Sequence, residues 1–319
     1  MESYLPYALS RMLLGLLGSL PRPAAAKLLD FLASLTYLLD AKHRHIAQVN
    51  LKIAFPELSN HQRNRIARVS FQQTARNLLE VCRMSRLSSS NISSLVDYDL
   101  ECGMNNYAAA NARGKGILYL TGHFSAWELL PAAHAFYGYP LSFVARPLDN
   151  PLLERYVYRA RTKSGNTVIS KKNASKEILK ALKSGGAVGI LMDQNTGTLD
   201  GIFSDLFGVP APTTTSMALL ALRTDATVLP GYLVPKQGNR YTMKFLPPVE
   251  LVRTGDTNRD VEINTRAFNA ILEKIIREQP ETWLWGHKRW KYQPPENPQD
   301  LYRLGSKELD RFLAARRGK

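Results

Sequence analysis

The residues best suited to chemistry stand in Ile117-Leu-Tyr-Leu-Thr-Gly-His-Phe-Ser-Ala-Trp-Glu128, where an apolar run gives way to His123 and then to Glu128. An imidazole, with an ordinary pKa of about 6.5, can take up and return a proton near neutral pH. A carboxylate that accepts the proton on one ring nitrogen fixes the tautomer and strengthens the other nitrogen as a base. On one continuous helix their spacing would turn the two side chains about 140° apart. With His123 in a loop and Glu128 in the first turn of the next helix, the chain folds back and they can meet. A hydroxyl is the natural proton donor to such a base. Once deprotonated it attacks an acyl thioester directly, and the imidazolium returns its proton to the leaving sulfur, so the route asks for neither a serine nucleophile nor a metal. Other roles stay open: Ser125-Ala-Trp-Glu128 also fits a capping box, and a lone loop histidine is often structural.

The elements that must hold this segment follow from the pattern around it. Ile117–Thr121, Leu141–Ala145, Ala187–Met192 and Thr227–Val234 are short, apolar and rich in strand formers. Helical stretches over Ala126–Tyr137, Pro151–Ser164, Ala174–Ser184 and Thr214–Arg223 alternate with them. This alternation predicts an α/β fold, a central mixed β-sheet flanked by helices, with His123 at the carboxyl end of a strand where ligands usually bind. Tyr241–Leu251 is predicted as an edge strand and Arg259–Arg277 as a long closing helix. Lys42–Ala54 and Asn60–Arg86 read as helices in front of the sheet, and the polar segment after Pro294 is expected to wrap the surface.

The amino terminus carries two apolar stretches, Met12–Leu20 and Ala24–Leu39, separated by Pro21-Arg22-Pro23. Leu28, Leu32, Leu35 and Leu39 recur at helical spacing, with Phe31 and Leu38 widening the face. Neither stretch has the roughly 20 uninterrupted apolar residues of a spanning helix. The pattern fits helices lying on or dipping into a bilayer, and equally a pair of core-facing helices. The expected organisation is therefore an N-terminal helical membrane-associating segment over residues 1–40, an α/β domain over 41–295 and a C-terminal tail over 296–319.

Forty-two Lys and Arg against 27 Asp and Glu give a net charge of +15 in 319 residues. The excess gathers in residues 146–183, with ten basic against three acidic residues, and in 286–319, with nine against four. Such fields favour polyanions: nucleic acid, anionic lipid or an acidic carrier protein. No nucleic-acid module is recognisable, which sets that class below the others, although the aromatic-basic run Trp285–Tyr292 keeps it as the alternative from outside enzymes. Cys82 and Cys102 are the only cysteines and sit in no metal-binding spacing. His43, His45, His61, His134 and His287 form none either, so no metal and no resident cofactor is expected.

Gly122-His123 followed by Glu128 resembles the signature of the late acyltransferases of lipid A biosynthesis, within the lysophospholipid acyltransferase superfamily. Further blocks agree in order: Arg146-Pro147-Leu-Asp-Asn150-Pro151, Arg161, Asp193-Gln194, Gly201-Ile-Phe203, Leu206-Phe207-Gly208-Val-Pro-Ala211-Pro-Thr213 and Trp285-Gly-His287-Lys-Arg289-Trp290. The similarity spans roughly residues 1–295. It implies a glycerol-3-phosphate acyltransferase-like fold and an enzyme at the cytoplasmic face of the inner membrane. That enzyme would take an acyl chain from acyl carrier protein, or from acyl-CoA, and esterify a hydroxyl of a lipid A-type glycolipid. Carried over by position, His123 is the base, Glu128 its partner, and Arg161 and Asp193 line the site. Arg146 joins them as a candidate, because a guanidinium fork suits a sugar or phosphopantetheine phosphate, with a surface ion pair as its other reading. Asp193 could hold Arg161 or a substrate hydroxyl, or cap a turn. The same base would serve a lysophospholipid or a mannosylated phosphatidylinositol, so the acceptor stays open within the lipid alcohols.

Overall fold

The computed structural model describes residues 4–170, 174–197, 201–296 and 298–317. Lys171 and Lys172 of the first basic stretch, and the ends of the two terminal segments, lie outside the described residues. The chain divides into two compact units, the first formed by Met1–Leu32, Gln73–Ile190 and Thr224–Val249, the second by Ala33–Gln72, Leu191–Arg223 and Glu250–Lys319.

The first unit is an α/β sandwich. Its strands are β1 (Val96–Tyr98), β2 (Ile117–Thr121), β3 (Ser142–Ala145), β4 (Thr167–Ser170), β5 (Ala187–Leu191), β8 (Thr227–Lys236) and β9 (Arg240–Phe245), in the sheet order β1-β9-β8-β2-β5-β3-β4. β2 runs parallel to β8, β3 parallel to both β4 and β5, and β1 parallel to β9, while β8 and β9 are antiparallel. The mixed sheet expected from the sequence is present. Every residue of β2 is buried, which explains why it reads as an unbroken apolar run rather than an alternating one. Gly116 feeds the chain into β2 at φ +78°, where a Cβ would stand 2.8 Å from the Leu182 carbonyl oxygen, so only glycine fits.

Helices α5 (Met104–Ala112), α6 (Leu129–Phe136), α7 (Pro151–Thr162) and α8 (Ala174–Lys183) belong to this unit, as does α1 (Tyr4–Ser19). α7 begins on Asn150, whose side chain accepts from the Leu152 and Leu153 amides, and has proline in its first turn. Arg11 of α1 lies 4.2 Å from the Tyr156 ring of α7, a cation–π contact. β9 is not an edge strand as its sequence suggests. It is covered by β1, whose three residues are too short to show a periodic pattern.

Helices α2 (Arg22–Leu39) and α4 (Asn60–Arg83) contribute residues to both units. On α2 the small and apolar Ala25, Ala26, Leu29 and Ala33 are buried, whereas Leu28, Phe31, Leu32, Leu35, Leu38 and Leu39 are exposed. No helix among the described residues is long and apolar enough to cross a membrane.

The second unit contains α3 (Ala41–Ala54), the hairpin β6 (Gly201–Leu206) and β7 (Val209–Thr214), α9 (Ser216–Thr224), α10 (Thr257–Glu278) and α11 (Ser306–Arg317). The hairpin turns on Phe207 and Gly208, both at positive φ, as a two-residue connection requires. The segment after Pro294 does more than cover a surface, since α11 buries Leu309, Phe312 and Leu313. Asn50 of α3 donates to the Trp285 and His287 carbonyls at 2.7 Å each and accepts from the Tyr302 hydroxyl at 2.7 Å. It thereby fixes the Trp285–Trp290 segment.

Candidate active site

β2 ends at Thr121 and α6 begins at Leu129, so His123 and Glu128 bracket one tight loop. The Phe124 amide donates to the Gly122 carbonyl at 2.8 Å, and the Leu129 amide to the Ala126 carbonyl at 2.9 Å. Between them Ser125 takes φ 50°, a conformation a non-glycine residue adopts at a cost and one that clusters at functional sites. His123 is half-buried at the carboxyl edge of the sheet, its ring 5.2 Å from that of Trp127 in an edge-on arrangement. The buried hydroxyls of Thr121 and Ser125, on either side of it, have no protein partner among the described residues.

Glu128 is the N-cap residue of α6 but makes no side-chain capping bond, so the capping box with Ser125 is not formed. Its carboxylate meets Arg161 of α7 in a bidentate pair, Nε to Oε2 at 2.9 Å and Nη2 to Oε1 at 2.6 Å. Burial would lower the Arg161 pKa, but its hydrogen bonds to Glu128 and the charges of Glu128 and Glu154 outweigh that and raise it. The guanidinium therefore keeps its charge throughout the physiological range. A carboxylate offers about four acceptor positions. Arg161 occupies two, so the Glu128 oxygens keep capacity for an imidazole N–H. Nη1 of Arg161 is buried without a partner among the described residues. The Glu128 amide donates to the Asn77 side-chain oxygen at 3.1 Å, which ties the loop to α4.

Of the other predicted residues, Arg146 follows β3 and is turned outward onto Asp149 at 2.9 Å, its side chain 77% exposed. Asp193 lies in the second unit, buried, and accepts from the Trp283 indole nitrogen at 2.7 Å. The structure thus brings Glu128 and Arg161 into contact, sets His123 on the same loop as Glu128, and leaves Arg146 at the surface.

His134 illustrates what a structural histidine looks like in this fold. It is buried between the Tyr98 hydroxyl at 2.8 Å and the Tyr119 hydroxyl at 2.7 Å, and burial pushes its pKa down to about 3. Such a ring cannot act as a base near neutral pH. Among the described residues no group of His, Cys, Asp and Glu could hold a metal ion.

Sequence reasoning missed Asn77 and the Glu128–Arg161 pairing. Asn77 and Glu80, both buried and three residues apart on α4, were the available signal, because polar side chains on the buried face of a helix need partners.

Residues 3–292 match the family described as bacterial lipid A biosynthesis acyltransferase. The chain belongs to this family. It is similar to the lipid A biosynthesis lauroyltransferase of Escherichia coli K12, at 29% identity over 89% of this chain and 91% of that protein. It is also similar to the palmitoleoyltransferase of the same organism, at 28% identity over 79% of this chain and 80% of that protein. The myristoyltransferase of that organism is 21% identical over 83% of this chain and 81% of its own length. The His123 loop, Arg161 and Asp193 all fall inside the span that marks this chain as a lipid A acyltransferase family member.

Proposed function

We propose that this chain transfers a fatty acyl group from acyl carrier protein, or from acyl-CoA, to a hydroxyl of a lipid A-type glycolipid precursor. The observation that carries the reading is the loop bracketed by His123 and the Arg161-clamped Glu128, at the carboxyl end of a buried strand in a member of this family. His123 takes the acceptor hydroxyl's proton, the oxygen attacks the thioester carbonyl, and a tetrahedral oxyanion forms. The carbon–sulfur bond then breaks, and the imidazolium protonates the leaving sulfur. No acyl-enzyme intermediate is needed. Glu128 orients the imidazole and stabilises its protonated form, while Arg161 holds Glu128 in one rotamer.

On this reading the α/β framework is a glycerol-3-phosphate acyltransferase-like one, which the mixed central sheet flanked by helices supports. The exposed apolar row of α2 supports attachment to a lipid surface, which on this reading is the inner membrane at its cytoplasmic face. Exposed Arg155 and Arg159 on α7 suit an acidic carrier protein.

The test is acyl transfer by the purified protein from a defined acyl-acyl carrier protein to a lipid A precursor, read by the mass gain of the lipid. His123→Ala and Glu128→Ala should each lower turnover by about 10²- to 10⁴-fold, with circular dichroism retained. Near-normal turnover in both variants would end the proposal.

A further inference from the structure

Away from the His123 loop, a cavity of about 320 Å³ in the first unit is lined by four arginines, Arg22, Arg83, Arg86 and Arg240, together with Ser94 and Asn239. Arg22 is paired with buried Glu80 at 2.5 Å, and Arg240 reaches Asp97 at 3.3 Å. Arg83 donates only to the carbonyls of Gly18 and Leu20, at 3.1 and 2.8 Å, and Arg86 makes no side-chain hydrogen bond or ion pair among the described residues. Two guanidinium charges thus face a concave space without a salt bridge to a carboxylate among the described residues, although the Glu80 charge is felt at Arg83. Partial burial together with the like charges of Arg22 and Arg86 lowers the Arg83 pKa, the sign of a field that an anion would relieve. Guanidinium forks match phosphate oxygens, and the volume is at the small end for ligand pockets, enough for a phosphorylated sugar end and too small for a protein surface.

The pocket's position connects it to the catalytic loop. β8 runs parallel to β2, β9 returns antiparallel, and β1 is parallel to β9. The turn at Gly238-Asn239 and the starts of β9 and β1 therefore lie at the same edge of the sheet as His123. α4 ties both places together: Asn77 holds the Glu128 amide, and Arg83 enters the pocket about 9 Å further along the helix at 1.5 Å per residue.

We propose that this arginine pocket is a subsite for a phosphate monoester on the acceptor, gripping its charged end while the His123 loop receives a hydroxyl of the same molecule. The acceptor assignment rests on the acyl-transfer reading above; the anion site does not.

Two measurements test it on the full-length protein. Calorimetric titration with inorganic phosphate and with a soluble hexosamine phosphate, at constant ionic strength and against sulfate, reads the pocket directly. Arg86→Gln, at an exposed residue without side-chain partners, should weaken both phosphates by about tenfold, the value of one charge-assisted contact. Arg240→Gln serves as an independent second variant with the same expectation. In acyl-transfer assays, Arg86→Gln should raise the KM of a phosphorylated glycolipid acceptor by a similar factor and leave the KM of the acyl donor in place. Dephosphorylating the acceptor should cost the wild type the same factor and add nothing to the loss in Arg86→Gln. Equal phosphate affinity in wild type and both variants, or equally tight sulfate, overturns the site. A rise in the donor KM instead assigns the phosphate to the donor's pantetheine and overturns the acceptor assignment. Arg86-dependent phosphate binding by a protein that acylates no glycolipid sustains the pocket and overturns the acyl-transfer reading.

Discussion

Arg161 reaches from α7 to Glu128 and occupies one acceptor position on each of its oxygens, with both side chains mostly shielded, 12% and 19% exposed. This contact fixes the Glu128 carboxylate within the loop that carries His123, and under the proposed mechanism it would couple stability to turnover. Arg161→Met should strand a shielded carboxylate and cost on the order of 3 kcal/mol of stability. Turnover should fall by about 10²-fold as Glu128 loses its orientation. Arg161→Lys should recover part of the stability but not the turnover, since an ammonium cannot form the planar two-point contact. Urea denaturation alongside steady-state kinetics separates the two effects; wild-type turnover in Arg161→Met would remove the positioning role.

Asp193 carries a charge and also a structural bond, and one substitution separates them. Asp193→Asn keeps an oxygen that can accept from the Trp283 indole N–H, so the fold should survive with a loss of about 1 kcal/mol. Trp283→Phe removes the donor and leaves the buried carboxylate short of a partner, costing about 1–3 kcal/mol. If Asp193 takes part in substrate binding, Asp193→Asn should lower turnover more than its small stability change accounts for. Equal activity in Asp193→Asn and wild type, by the same lipid assay, would confine Asp193 to its structural bond.

The exposed row on α2 makes a prediction about attachment. Phe31, Leu35 and Leu38 recur on one face and are exposed to 67%, 41% and 66%. Replacing all three with Gln leaves the buried Ala25, Leu29 and Ala33 in place, so the helix should persist. At roughly 25 cal/mol per Å² of apolar surface, losing three such contacts should weaken vesicle binding by about 10²-fold or more. Flotation with anionic vesicles measures it, and unchanged flotation would place the membrane contact elsewhere.

The sequence was legible where one physical signal dominated. β2 and β8 are largely buried and stand out as apolar runs, so the sheet and the placing of His123 at its edge could be anticipated. The β6–β7 hairpin was not anticipated as strands, because Pro210 and Pro212 argue against a strand. They are tolerated in a two-stranded ribbon, where the Pro212 carbonyl serves instead as an acceptor for buried Arg289. The partner of Glu128 was equally hidden. Arg161 was implied by resemblance, but a contact across 33 residues between the N-cap of one helix and the last turn of another leaves no local trace in spacing.

His134 yields the clearest pH dependence. Its ring is held between two tyrosine hydroxyls and packed against Tyr107, Tyr139 and Phe245. Burial depresses its folded-state pKa from 6.5 to about 3, while Tyr98 and Tyr119, raised by the same burial, stay protonated. Between these two pH values the unfolded chain binds a proton that the folded one refuses, so stability rises with pH across that window. The contribution is complete above pH 6.5 and is lost progressively as pH falls towards 3. From pH 7 to pH 5 the loss should amount to about 2 kcal/mol, at 1.36 kcal/mol per pKa unit. His134→Phe removes the titrating group and leaves two hydroxyls short of a partner. It should be less stable than wild type at pH 7 by about 2–5 kcal/mol, and the gap should narrow by about 2 kcal/mol at pH 5. Carboxylates that titrate over the same range cancel in this difference, so denaturant midpoints of the two proteins at both pH values isolate the histidine. A gap that stays constant or widens on acidification would show that His134 is protonated in the folded protein.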